Sequence, residues 1–179
     1  DLFDAAVETA CALSDAAAVR RLSEQVLTHA KCNDDKLNCL YAVVKSLRLA
    51  FKFQDSKRVA FTMLEQLGER LPRPTEDIGL AANIQEVKLI FTSMSDASIL
   101  NMKETTQKKR DILLLNLYHD LNFLFHFIDP KRIADVSLRM AQITLTNGLC
   151  CMSPLAYANL AIILVTMGDI ALGYRLGTL

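Results

Sequence analysis

The side chains able to do chemistry are few in this 179-residue chain: three histidines, five cysteines and one basic-aromatic row. His119 and His126 stand in one apolar-periodic segment, and a pair of imidazoles is a common beginning of a metal site. Seven residues of helix place them about 10 Å apart along the axis, too far to share an ion, so no metal is expected. Cys11, Cys32, Cys39, Cys150 and Cys151 are odd in number and lack CxxC spacing. That pattern argues against a disulfide framework or a zinc or redox site and fits a reducing, cytoplasmic setting. Adjacent residues such as Cys150 and Cys151 seldom bridge, because the disulfide would strain the peptide between them. They read as small apolar fillers at a helix junction.

A phosphate loop needs wrapping glycines followed by Lys and Ser or Thr. Residues 168–175 have the glycines but carry Tyr174 and Arg175 where that pair belongs. No nucleophile elbow, HExxH or EF-hand loop is present. The chain therefore reads as non-catalytic, with no cofactor.

Two polar rows remain as candidate surfaces. Asn38, Tyr41, Lys45, Arg48 and Lys52 recur at helical spacing and make a basic-aromatic stripe suited to an acidic peptide or a partner helix. Asn116, His119, Asn122 and His126 follow at three- and four-residue steps on an otherwise apolar helix. That seam either specifies helix register or lines a small-molecule pocket, which would make the chain a ligand sensor. A small all-α enzyme is the third reading and requires a convergent titratable cluster that the sequence does not suggest.

These rows need helices to carry them, and the composition supplies helices. Hydrophobic residues make up 51% of the chain, and only four prolines interrupt it. Twenty basic and twenty acidic side chains cancel, so the electrostatic footprint of a nucleic-acid or anionic-membrane binder is missing. No uninterrupted apolar run is long enough to span a bilayer; residues 111–128 come nearest and are broken by polar side chains.

Caps and breakers divide the chain into helix pairs at 2–31, 34–71, 76–102, 107–147 and 153–179. Ser14 and Asp15 cap the second helix, and one amphipathic helix runs over 34–53 with Leu37, Leu40, Val44, Leu47 and Phe51 on its apolar side. Pro72 and Pro74 end the fourth helix, and the fifth starts at Glu76. The polar stretch 93–106 reads as a loose crossover with one short helix. Residues 107–128 form the most apolar helix, hence a central one. Asp129 and Pro130 open the next, and Asn147-Gly148 stops it.

The final pair is the most specific. In the tetratricopeptide unit, a large residue, a Leu-small pair and another large residue precede a glycine turn and a small residue in the second helix. Tyr157, Leu160-Ala161, Leu164, Gly168 and Gly173 occupy those places. Five pairs recurring at about 40 residues predict one all-α domain over 1–179, with tetratricopeptide-like antiparallel hairpins forming a right-handed α-α superhelix. Asp1 and Leu179 both fall inside periodic segments, the expectation for a piece of a longer protein.

The runs at 22–31 (LSEQVLTHAK), 67–72 (LGERLP) and 153–177 (SPLAYANLAIILVTMGDIALGYRLG) resemble the helical-repeat region of very large signalling ATPases. Such proteins join a serine/threonine-kinase-like domain, an AAA-type ATPase, this helical region, a GAF domain and a histidine kinase or other output domain. The resemblance implies a cytoplasmic regulatory module whose partners are protein: neighbouring domains of the same polypeptide, other signalling proteins or a second copy. It brings no catalytic residue.

Overall fold

A computed structural model describes residues 2–13, 15–29, 33–69 and 77–179. Within them the chain is all α: ten α-helices, one 3-10 turn at Pro130–Arg132 and one isolated β-bridge between Glu104 and Leu149. The expected Ser14 cap, Cys32, Pro72, Pro74 and the Glu76 start lie outside the described residues, as do the pair limits at 31, 71 and 76 and the side chain of Cys11. The helices gather into two compact units, α1–α4 and α5–α10.

The first unit holds α1 (Leu2–Ala12), α2 (Ala16–His29), α3 (Asn33–Leu49) and α4 (Phe53–Gln66). Asp15 opens α2, its Oδ1 accepting from the Ala18 amide at 2.9 Å. α1 packs on α2 and α3, and α3 also packs on α2 and α4. Val7, Ala10, Val19 and Ala42 form one core there, the alanines letting the helix backbones approach. Ser56 is fully buried on α4, and its hydroxyl donates to the Val44 carbonyl of α3 at 2.9 Å.

α3 is shorter than its apolar periodicity predicts. It stops at Leu49, and Phe51 takes a left-handed φ of 57° while its side chain is 80% exposed. The Lys52 amide donates back to the Leu47 carbonyl at 2.9 Å, the type of closure that usually has glycine at the left-handed position. Phe51 therefore leaves the core stripe and meets Phe53, ring centroids 5.8 Å apart. Local hydrogen bonding at the helix end has overridden the periodicity.

The second unit holds α5 (Asp77–Ser93), α6 (Asp96–Leu100), α7 (Lys108–Ile128), α8 (Ile133–Asn147), α9 (Ser153–Thr166) and α10 (Ile170–Gly177). α7 to α10 pack each on the next, and α5 packs on α8. The pair expected at 76–102 thus takes another form: α6 is a single turn, while Ile84, Val87 and Phe91 of α5 enter a core with Leu138, Leu160 and Leu164. Phe91 meets Tyr157 edge-on, with centroids 5.4 Å apart. Leu114, Leu117, Leu121, Leu124 and Phe125 of α7 are fully buried. Asp129 makes no side-chain cap, and the Pro130–Arg132 turn precedes α8, in place of a helix beginning at the proline.

The stretch expected to be loose is tied down. The Thr105 amide donates to the Leu149 carbonyl at 3.0 Å, and the Leu149 amide to the Lys103 carbonyl at 2.9 Å. Asp111, only 1% exposed, accepts from the Thr105 hydroxyl and, at 3.0 Å, from Asn147 Nδ2. Gly148 has a φ of 104°, and a Cβ there would lie 2.3 Å from the Lys103 carbonyl oxygen. Glycine both stops α8 and admits the loop.

Candidate interaction surfaces

The basic-aromatic row is set by α3. Asn38 is exposed and Tyr41, Lys45 and Arg48 are half-buried. Lys45 Nζ lies 5.5 Å from the Tyr41 ring centroid, a cation held over an aromatic face. Lys52 lies past the end of α3, immediately before α4, and is exposed. The helix brings four members of the row together, and the α3–α4 turn supplies the fifth.

Two members of the seam on α7, Asn122 and His126, take part in hydrogen bonds. Asn122 is buried, and its Nδ2 donates to Ser137 Oγ of α8 at 2.9 Å. His126 is exposed, with Nδ1 2.8 Å from the Asn122 carbonyl. Asn116 and His119 are half-buried, and His119 Nδ1 is buried without a hydrogen-bond partner among the described residues. Asn122 thus ties α7 to α8 through one side-chain hydrogen bond.

The periodicity of α9 and α10 did not single out the surface they expose. Ile162 and Val165 on α9, Met167 in the turn, and Ile170 and Tyr174 on α10 are all exposed, Tyr174 at 73%. Spacing of three or four residues puts each pair on one side of its helix. The two helices meet at Gly173, where a Cβ would fall 2.6 Å from Val165 Cγ2 and 2.9 Å from the Ala161 carbonyl oxygen. A nearly unbroken run, Leu160 to Val165, concealed the surface: when every position is apolar, periodicity cannot tell inner from outer faces.

Polar clasps fasten α5 to the same hairpin. Asp169 caps α10 through the Leu172 amide at 3.3 Å and meets Lys88 Nζ at 2.6 Å. The Lys88 hydrogen bond, then the Leu172 amide, hold its carboxyl below the usual range. Arg175 Nη1 and Nη2 donate to the Phe91 and Met94 carbonyls at 2.9 and 2.5 Å, and Nε donates to Asp96 at 2.6 Å. One guanidinium thus closes the C-terminal end of α5, where a cation is favoured by the helix dipole.

Cys39, Cys150 and Cys151 form no disulfide. The Cys150 amide donates to Ser153 Oγ at 2.9 Å, so the cysteine pair belongs to the entry of α9. Burial, and secondarily the nearby Cys150, push the Tyr157 hydroxyl up to about 12, so it remains a neutral donor, 3.9 Å from Met102 Sδ. Among the described residues no group of three His, Cys, Asp or Glu side chains could hold a metal ion, and no helix is long and apolar enough to cross a membrane. Compared with known proteins, the chain matches no family model, no curated protein and no solved structure.

Proposed function

We propose that this chain is a non-catalytic, tetratricopeptide-like protein-interaction module, its hairpins stacked as a right-handed superhelix, that regulates a multidomain signal-transduction ATPase or kinase in the cytoplasm. The supporting observation is that Ile162, Val165, Met167, Ile170 and Tyr174 of one hairpin are all exposed while Tyr157, Leu160, Leu164, Leu172 and Leu176 of the same hairpin are packed in the core. Clustered exposed apolar side chains mark protein interaction sites, and a stacked hairpin buries its apolar surface only when a neighbour covers it. Tyr41, Lys45, Arg48 and Lys52 supply a second, cationic surface for an acidic partner segment. A partner covering either surface regulates only as far as it binds one state of the parent protein better than another.

The test is titration calorimetry of the chain against the domains that flank it in its polypeptide, with light scattering to register self-association. Ile170→Asp with Tyr174→Ala is expected to weaken binding at least tenfold. Replacing Lys45, Arg48 and Lys52 by Glu is expected to weaken it several-fold in a salt-dependent manner. A chain that binds none of those domains and stays monomeric overturns the reading.

A further inference from the structure

The turn between α3 and α4 sets a strained residue in solvent. Phe51 has a φ of 57°, a region where a side chain is strained and glycine is the ordinary occupant. The residue is nevertheless 80% exposed, so burial within the chain offsets little of that strain. Leu49, two residues earlier, is 48% exposed, and the half-buried Phe53 ring meets Phe51 with centroids 5.8 Å apart. Three large apolar side chains thus stand within residues 49–53.

The charge around this turn is one-sided. Residues 45–58 contain Lys45, Arg48, Lys52, Lys57 and Arg58 against Asp55 alone, although the whole chain is neutral. Asp55 is itself taken up by Arg58 at 3.2 Å. On α4, Lys57 Nζ lies 6.0 Å from the Phe61 ring centroid, as Lys45 lies over Tyr41 on the packed neighbour α3. Lysines already held over rings lose less freedom when an anion arrives.

Resting on the protein-interaction reading of the α3 row, we propose that this turn anchors an acidic segment of the partner that carries an apolar side chain between its carboxylates. The apolar side chain covers Phe51 and Leu49, and the carboxylates meet Lys52, next to Phe51, and the cationic row behind it on α3. Exposed ion pairs each contribute little, so the row by itself holds an acidic chain weakly and without selection. An aromatic side chain that becomes buried at the centre of the contact supplies the larger share. The charges guide the approach and turn away basic partners.

The full chain is titrated with the blocked peptide Glu-Glu-Leu-Phe-Glu-Glu and, in parallel, with Glu-Glu-Ser-Ser-Glu-Glu, following backbone amide shifts by nuclear magnetic resonance. The first peptide is expected to give saturable shifts at Leu49, Phe51, Lys52 and Phe53 and to bind about tenfold tighter than the second. Phe51→Gly relieves the left-handed strain, so it should keep or raise the melting temperature while reducing affinity for the first peptide to that of the second. Lys45→Glu with Lys52→Glu weakens both peptides several-fold, and the loss shrinks at high salt. Equal affinity for the two peptides, unchanged affinity in Phe51→Gly, or shifts centred away from the turn overturn the proposal. Phosphatidylserine vesicles bound through Phe51 in place of the peptide overturn it as well. A chain that fails these tests and still binds its flanking domains leaves the interaction reading in place.

Discussion

Lys88 Nζ lies 2.6 Å from Asp169 Oδ2, joining the middle of α5 to the turn between α9 and α10 across eighty-one residues of sequence. Both side chains are partly exposed, so the pair contributes modestly, about 0.5 kcal/mol. Asp169→Asn keeps a capping oxygen for Leu172 and removes only the charge. The native carboxyl is held below its usual range, so its stabilisation is complete above about pH 5 and is lost as pH falls through the folded value. Urea midpoints of the two proteins should differ at pH 7 and draw together as pH falls below the ordinary carboxylate range. A pH-independent gap would refute the pairing.

Arg175→Ala leaves the Phe91 and Met94 carbonyls without their charged donor. A loss of about 2 kcal/mol is expected from urea unfolding, discounted for partial exposure. Arg175→Lys should recover less than half of it, because an ammonium cannot match the fork that reaches two carbonyls and Asp96 together.

Gly168 and Gly173 make the hairpin for different reasons. Gly168 has a φ of 90° with open space around it, so Gly168→Ala costs about 1 kcal/mol of backbone strain. Gly173→Ala drives a methyl into Val165 and the Ala161 carbonyl, costing about 1–3 kcal/mol. Adding Val165→Ala should restore part of the second loss and none of the first, as read from melting temperatures.

Asn147→Ala removes one of the two neutral donors to buried Asp111 and leaves the Thr105 hydroxyl. The expected result is faster hydrogen exchange at the Thr105 and Leu149 amides, whose bonds hold the 103–105 segment against the end of α8. Unchanged protection there would mean that Gly148 and the Thr105 hydroxyl suffice.

Where local chemistry governs, residue types foretold the structure. Asn147-Gly148 stops α8, and Gly168 turns the final hairpin while Gly173 lets its helices touch. At Phe51 the same reasoning failed: no glycine marks the end of α3, and the Lys52-to-Leu47 closure forces a bulky residue into the left-handed region. The polar row on α3 was visible because 3.6-residue spacing defines a face, yet its last member belongs to the following turn.

By itself the sequence determined that the chain is helical, roughly where its rods begin and end, and which sides of the amphipathic rods are apolar. Those properties follow from propensity, caps and period, all set within a few residues. Tertiary structure alone decided that α5 joins α8 and the last hairpin, that Asn122 is satisfied by Ser137, and that Ile162, Ile170 and Tyr174 stay bare. An apolar face records the need to be covered but not which neighbour covers it, because that choice rests on contacts between residues far apart in the chain.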